Sequence, residues 1–137
     1  MCNLLKVALA LLTAALLMGM GNVGGTPEGT VPQTEENIRA ELVDRSGVSN
    51  ALTRFSMDGN VLLKGRRGEG QMSVFFRDLK EVSFGPVSGN DISADLLLKS
   101  GKRVQLKVNK SAIFYGDTGT GSYRISAGDV GRIVFHK

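Results

Sequence analysis

Two aspartates, Asp78 and Asp129, stand just before the last apolar stretches of two similar segments, Leu79 to Phe84 and Val130 to Phe135. Paired carboxylates perform general acid–base hydrolysis or hold a metal when the fold brings them within about 5–9 Å of each other. Each aspartate also sits in a short corner, Arg77-Asp78-Leu79 and Gly128-Asp129-Val130, where its side chain is expected to accept a hydrogen bond from a nearby backbone N–H. The structural role is the expectation, and a hydrolase-type pair is the alternative. A second candidate is Gly65-Arg66-Arg67-Gly68-Glu69-Gly70, whose backbone N–H groups and two guanidiniums suit an anion. Its counterpart, Gly116-Asp117-Thr118-Gly119-Thr120-Gly121, keeps the glycines but carries Asp117 at the place of Arg66. The common feature is therefore the backbone, and positive φ values in hairpin turns explain all six glycines more simply. Neither run ends in the Gly-Lys-Ser/Thr of a P-loop.

The remaining chemistry is basic. Lys99, Lys102, Arg103, Lys107 and Lys110 cluster along one stretch, with Arg103 and Lys107 on the outward side of one alternating segment. Such a face attracts a polyanion or an acidic membrane surface, although lysines and arginines on a strand also guard it against aggregation. The net charge is only +4, there is no tryptophan, and Tyr115 and Tyr123 are the two tyrosines. A dedicated base-stacking surface for nucleic acid is not expected from that inventory. Lys99-Ser100-Gly101-Lys102-Arg103-Val104 resembles the strand–turn–strand start of Sm-like RNA-binding barrels. The resemblance is confined to those residues, and no function is carried over from it. His136 is the single histidine and stands next to the C-terminal Lys137, too isolated to serve as base or ligand. Asn109-Lys110-Ser111 fits the N-glycosylation pattern, which matters only in a eukaryotic secretory pathway.

These residues follow an N-terminal segment with the anatomy of a signal peptide. Lys6 precedes an apolar run from Val7 to Met18, shorter than the ~20 residues a spanning helix needs and followed by small residues. Residues 1–21 are expected to be a leader, cleaved after Gly21 or Gly25, with an uncleaved anchor as the alternative. Cleavage removes Cys2, the only cysteine, so no disulfide, thiol nucleophile or cysteine metal site is expected. No cofactor is expected either. Residues 22–36 have the Gly, Thr, Pro and Glu composition of a linker.

Beyond the linker the chain repeats itself. Asn37 to Gly47 lies over Asp91 to Gly101 with Ile, Ala, Leu, Ser and Gly identical. After a three-residue length difference assigned to the following turn, Thr53 to Phe84 lies over Val104 to Phe135. Gly65, Gly68, Gly70, Asp78 and Phe84 then meet Gly116, Gly119, Gly121, Asp129 and Phe135. Ile92, Ala94, Leu96 and Leu98 recur with period two, so both aligned segments should be strands although Thr34 to Arg45 alone has helix-forming residues. Val104, Leu106 and Val108 alternate in the same way. Further strands are predicted over about 60–64, 71–76, 80–84, 111–115, 122–126 and 132–135.

The predicted fold is all-β: two tandem copies of a small antiparallel module, an SH3-like barrel or half of a sandwich, over residues 37–85 and 91–137. Residues 86–90, with Pro86, form the connection. A module of ~45 residues without disulfide or metal buries too little surface to stand alone, so the copies should share a core about an approximate two-fold axis. The functional expectation is an exported, non-catalytic binding or structural module working with an envelope or secreted protein partner.

Overall fold

A computed structural model describes residues 31, 32, 34 and 36–136; the leader and most of the linker lie outside the described residues. Ten strands follow in order, separated by two short 3₁₀ turns: β1 Arg39–Asp44, β2 Ser49–Met57, β3 Leu62–Arg67, β4 Gly70–Phe75, β5 Leu79–Ser88, β6 Asp91–Leu98, β7 Arg103–Asn109, β8 Ile113–Asp117, β9 Ser122–Ser126 and β10 Val130–His136. They make one curled, antiparallel half-barrel sheet in the order β4-β3-β7-β6-β5-β10-β1-β2-β8-β9. The all-β expectation holds, and residues 39–44 form a strand rather than a helix. Their outward Glu41 and Val43 alternate with the buried Ala40 and Leu42, the period-two pattern that burial of one sheet face selects.

The pairing differs from two barrels that each close on themselves. β3 pairs with β7 and β8 with β2, so each outer hairpin joins strands from the other part of the chain. The strand order reads the same from either end when every strand is exchanged for the one five places away. At its centre β5 meets β10, with Val82 opposite Ile133, flanked by Ser83 with Arg132 and Glu81 with Val134. One apolar core runs through all of it, including Leu42, Leu52, Phe55, Leu63, Phe76, Val82, Leu96, Leu106, Phe114 and Ile133. Phe55 is its hub, with ring centroids 5.2 Å from Phe76, 5.4 Å from Phe114 and 5.7 Å from Phe135. Aromatic pairs at such spacing add about 0.5–1.5 kcal/mol each beyond the area they bury.

Three local expectations are corrected. Pro86 lies within β5, at the register shift between Phe84 and Val87, because a proline without an N–H is tolerated where a bulge already interrupts the ladder. The connection shrinks accordingly to Gly89-Asn90, between the paired Ser88 and Asp91. The β1–β2 and β6–β7 turns have the same length and the same closing bonds, Gly47 N–H to Asp44 and Gly101 N–H to Leu98. Their flanking registers match too, Ala40 with Leu52 and Ala94 with Leu106. The three-residue difference therefore falls beyond Leu52, where β2 bulges against β8 between Thr53 and Ser56 and Arg54 takes a positive φ of 50°. The bulge turns three successive side chains, Phe55, Ser56 and Met57, into the core.

A basic seam between β3 and β7

The glycines divide by role. Gly68 and Gly119 have φ of 62° and 90°, as turn chemistry requires. Gly65 and Gly116 do not have positive φ; they sit mid-strand where another strand crosses closely. A Cβ at Gly65 would lie 2.9 Å from Leu106 Cβ, and one at Gly116 would lie 2.8 Å from Leu52 Cβ. Gly70 and Gly121 show neither feature, so positive φ does not account for all six.

Asp78 and Asp129 are both exposed and end the two 3₁₀ turns. Their backbones tie the turns down: the Asp78 carbonyl accepts from Lys99 N–H at 2.9 Å and the Asp129 carbonyl from Arg45 N–H at 3.0 Å. The β5–β10 register sets the two residues at opposite ends of that strand pair, some eight residues or roughly 25 Å of extended chain apart. The register therefore does not bring the two carboxylates together, as the alternative of a hydrolase-type pair requires. Among the described residues no group of His, Cys, Asp and Glu is arranged to hold a metal ion. No described helix is long and apolar enough to cross a membrane.

The five basic residues do not form one face. Lys99 and Lys102 flank the β6–β7 turn and Arg103 begins β7, whereas Lys107 lies four residues on and Lys110 follows the far end of β7, half-buried against Gly128. The outward alternation of Arg103, Gln105 and Lys107 is as predicted. Lys107 instead joins residues from the first glycine run: it stands directly opposite Arg66, the single bridge between β3 and β7. Arg66 reaches across β7 to form an ion pair with Asp91 on β6. Lys64, Arg67 and Lys107 are exposed and have no ion pair among the described residues.

Two grooves flank this bridge. One, of about 270 Å³, is lined by Lys64, Arg66 and Lys107 and by the carboxylates Asp58 and Asp91, among others. The other, of about 350 Å³, is lined by Arg66, Arg67, Gly68, Ser93, Gln105, Leu106 and Lys107 and has no carboxylate. The seam opens because β3 leaves β7 after one bridge, while β8 keeps three pairs with β2. Like charges facing each other weaken a ladder, and here Asp91 offsets only part of that charge. At the corresponding crossing on the opposite side, Asp117 spends its carboxylate on its own loop, accepting from Gly119 N–H at 2.8 Å.

Sequence reasoning missed the grouping of Lys64, Arg66 and Arg67 with Lys107, because only the crossing of β3 over β7 makes neighbours of them. It also missed Arg45, whose guanidinium donates to the carbonyls of Gly128 at 2.8 Å and Gly85 at 2.6 Å, tying the first turn to β5 and the second 3₁₀ turn. His136 is paired opposite Arg39 in the β10–β1 ladder and is exposed. The Asn109 side chain accepts from Ser111 N–H at 2.8 Å, closing the turn after β7.

Fold and site together define an all-β protein with a groove rich in cations. The chain belongs to a family described as "Uncharacterised protein", whose sequence pattern matches residues 34–137. It is similar to an uncharacterised protein of Aquifex aeolicus (strain VF5), 27% identical over 111 residues that cover 81% of this chain and 83% of the relative. No solved structure matches it.

Proposed function

We propose that this chain is an exported, non-catalytic binding module, built from two diverged copies of one β-module, that engages an acidic polymer at the cell envelope or outside the cell. The duplication is supported by the strand order that survives exchange of β1–β5 with β6–β10, and by the central Val82–Ile133 pair, whose members are equivalent in the repeat. The leader-like residues 1–21 support export. The observation that carries the binding role is the β3–β7 seam, where Lys64, Arg67 and Lys107, none in an ion pair among the described residues, line two grooves, one of which has no carboxylate. The other crossing has the same close glycine approach but pairs Thr53 with Asp117 where this one pairs Lys107 with Arg66, so the backbone serves folding and the charge serves a partner.

Retention of the processed chain on immobilised heparin tests this. Retention should fall steeply with salt, because each cation–anion contact releases condensed counter-ions. Reversing Lys64 and Lys107 to glutamate should abolish it, whereas reversing Lys102 and Arg103 should weaken it less. No retention at low ionic strength removes the acidic-polymer reading. For export, the N-terminus of the protein recovered from the envelope or medium should follow Gly21 or Gly25. Recovery from the cytosol with Met1 intact would overturn that part.

A further inference from the structure

We infer that the groove bounded by Arg66, Arg67, Ser93, Gln105 and Lys107 is a site for a tetrahedral oxyanion of the phosphoryl or sulfuryl type. This rests on the acidic-polymer reading and specifies which anionic group is recognised. Every polar side chain lining the groove can donate: two guanidiniums, one ammonium, one hydroxyl and one amide. A carboxylate offers two coplanar oxygens, which a single guanidinium fork satisfies, and would leave the other donors unmatched. A phosphoryl or sulfuryl group turns three oxygens outward and so engages both arginines and Lys107 together.

The second element is the Arg66–Asp91 ion pair. Arg66 lines both grooves, and Asp91 lines only the neighbouring one. Asp91 therefore holds the Arg66 guanidinium when the site is empty and competes with an arriving anion for it. An oxyanion between Arg66 and Lys107 also relieves the repulsion of two cations placed opposite each other in the ladder.

The test is titration of the full processed chain with inorganic pyrophosphate at low salt, followed by calorimetry and by backbone amide NMR. Citrate, a polycarboxylate of similar charge, is the comparison. Pyrophosphate should shift the amides of Arg66, Arg67, Ser93, Gln105 and Lys107 and bind at least tenfold more tightly than citrate. Lys107→Ala should weaken it about tenfold and Lys99→Ala should leave it unchanged. Asp91→Asn should tighten it severalfold by freeing Arg66. Displacement of the protein from heparin by pyrophosphate or by a sulfated disaccharide supports the inference and distinguishes the two sources of oxyanion. Displacement by neither overturns it. Citrate binding as tightly as pyrophosphate, or weaker binding by Asp91→Asn, also overturns the inference while heparin retention leaves the acidic-polymer reading standing. Loss of heparin retention as well removes both.

Discussion

Replacing Gly116 with alanine should destabilise the protein although its φ is one that any residue can adopt. The added Cβ would lie 2.8 Å from Leu52 Cβ, 3.0 Å from Leu52 Cδ1 and 3.1 Å from Leu52 Cγ. Carbon atoms prefer about 3.5–4.0 Å, so β8 and β2 would have to separate by roughly 0.7 Å or more. Overpacking of that kind costs about 1–3 kcal/mol. Alanine recovers about 0.4–1 kcal/mol by restricting the unfolded chain, which leaves a net loss of about 1.3 kcal/mol from the middle of both ranges and at most about 2.6. Urea unfolding followed by far-UV circular dichroism measures it, and the melting temperature should fall by several degrees. Leu52→Ala alone should cost about 2–5 kcal/mol for a buried leucine. Truncation removes the Cγ and Cδ1 contacts but keeps the Cβ at 2.8 Å, so in that background Gly116→Ala should cost less than in the parent without becoming free, a measurable positive coupling. Gly121→Ala is the control: nothing lies within 4 Å of its built Cβ and its φ is not positive, so it should gain about 0.4–1 kcal/mol. A Gly116→Ala protein as stable as the parent, or one whose penalty is undiminished by truncation of Leu52, refutes the close-approach argument.

Four other outcomes follow from the core and the first turn. Ser56 is fully buried and its hydroxyl has no partner among the described residues; Ser56→Ala should therefore be neutral or stabilising by up to ~1 kcal/mol in the same urea assay, and a loss above ~1 kcal/mol would mean the hydroxyl is satisfied. Phe55→Ala should cost about 3–5 kcal/mol and destroy cooperative unfolding, whereas an exposed Phe75→Ala should cost far less. Hydrogen bonds from the Ser46 side chain and the Val48 backbone hold the Asp44 carboxyl below its usual 3.8. With the folded value lowered, the contribution is present above about pH 4 and lost as pH falls through the folded pKa. The stability gap between the parent and Asp44→Ala should accordingly be full at pH 6 and closed in strong acid. Burial first, then the nearby Asp44 charge, raises the Tyr123 phenol above 10. Asp44→Asn should move that phenol's absorbance titration to lower pH, and an unchanged midpoint would show that burial alone sets it.

Which parts of this protein were readable in its residues follows from the range of the forces involved. Period-two alternation at Ile92 to Leu98 and Val104 to Val108 specified strands, because a strand with one buried face imposes that pattern locally. The repeated turn residues marked where the strands end, and the resemblance of 37–47 to 91–101 corrected a helix-like reading of β1. Pairing partners were a different matter. Whether the β3–β4 hairpin folds back on β2 or crosses to β7 depends on which arrangement buries Phe55, Phe76, Phe114 and Phe135 together, and alternation cannot distinguish them. Hence Gly65 and Gly116 were recognisable as special but not as contact points for Leu106 and Leu52. The basic residues show the same division: their number and sign were plain in the chain, but charge acts through space. Only the β3–β7 crossing decided that Lys107 answers to Arg66 rather than to Lys102, and only the antiparallel β5–β10 register kept Asp78 and Asp129 apart.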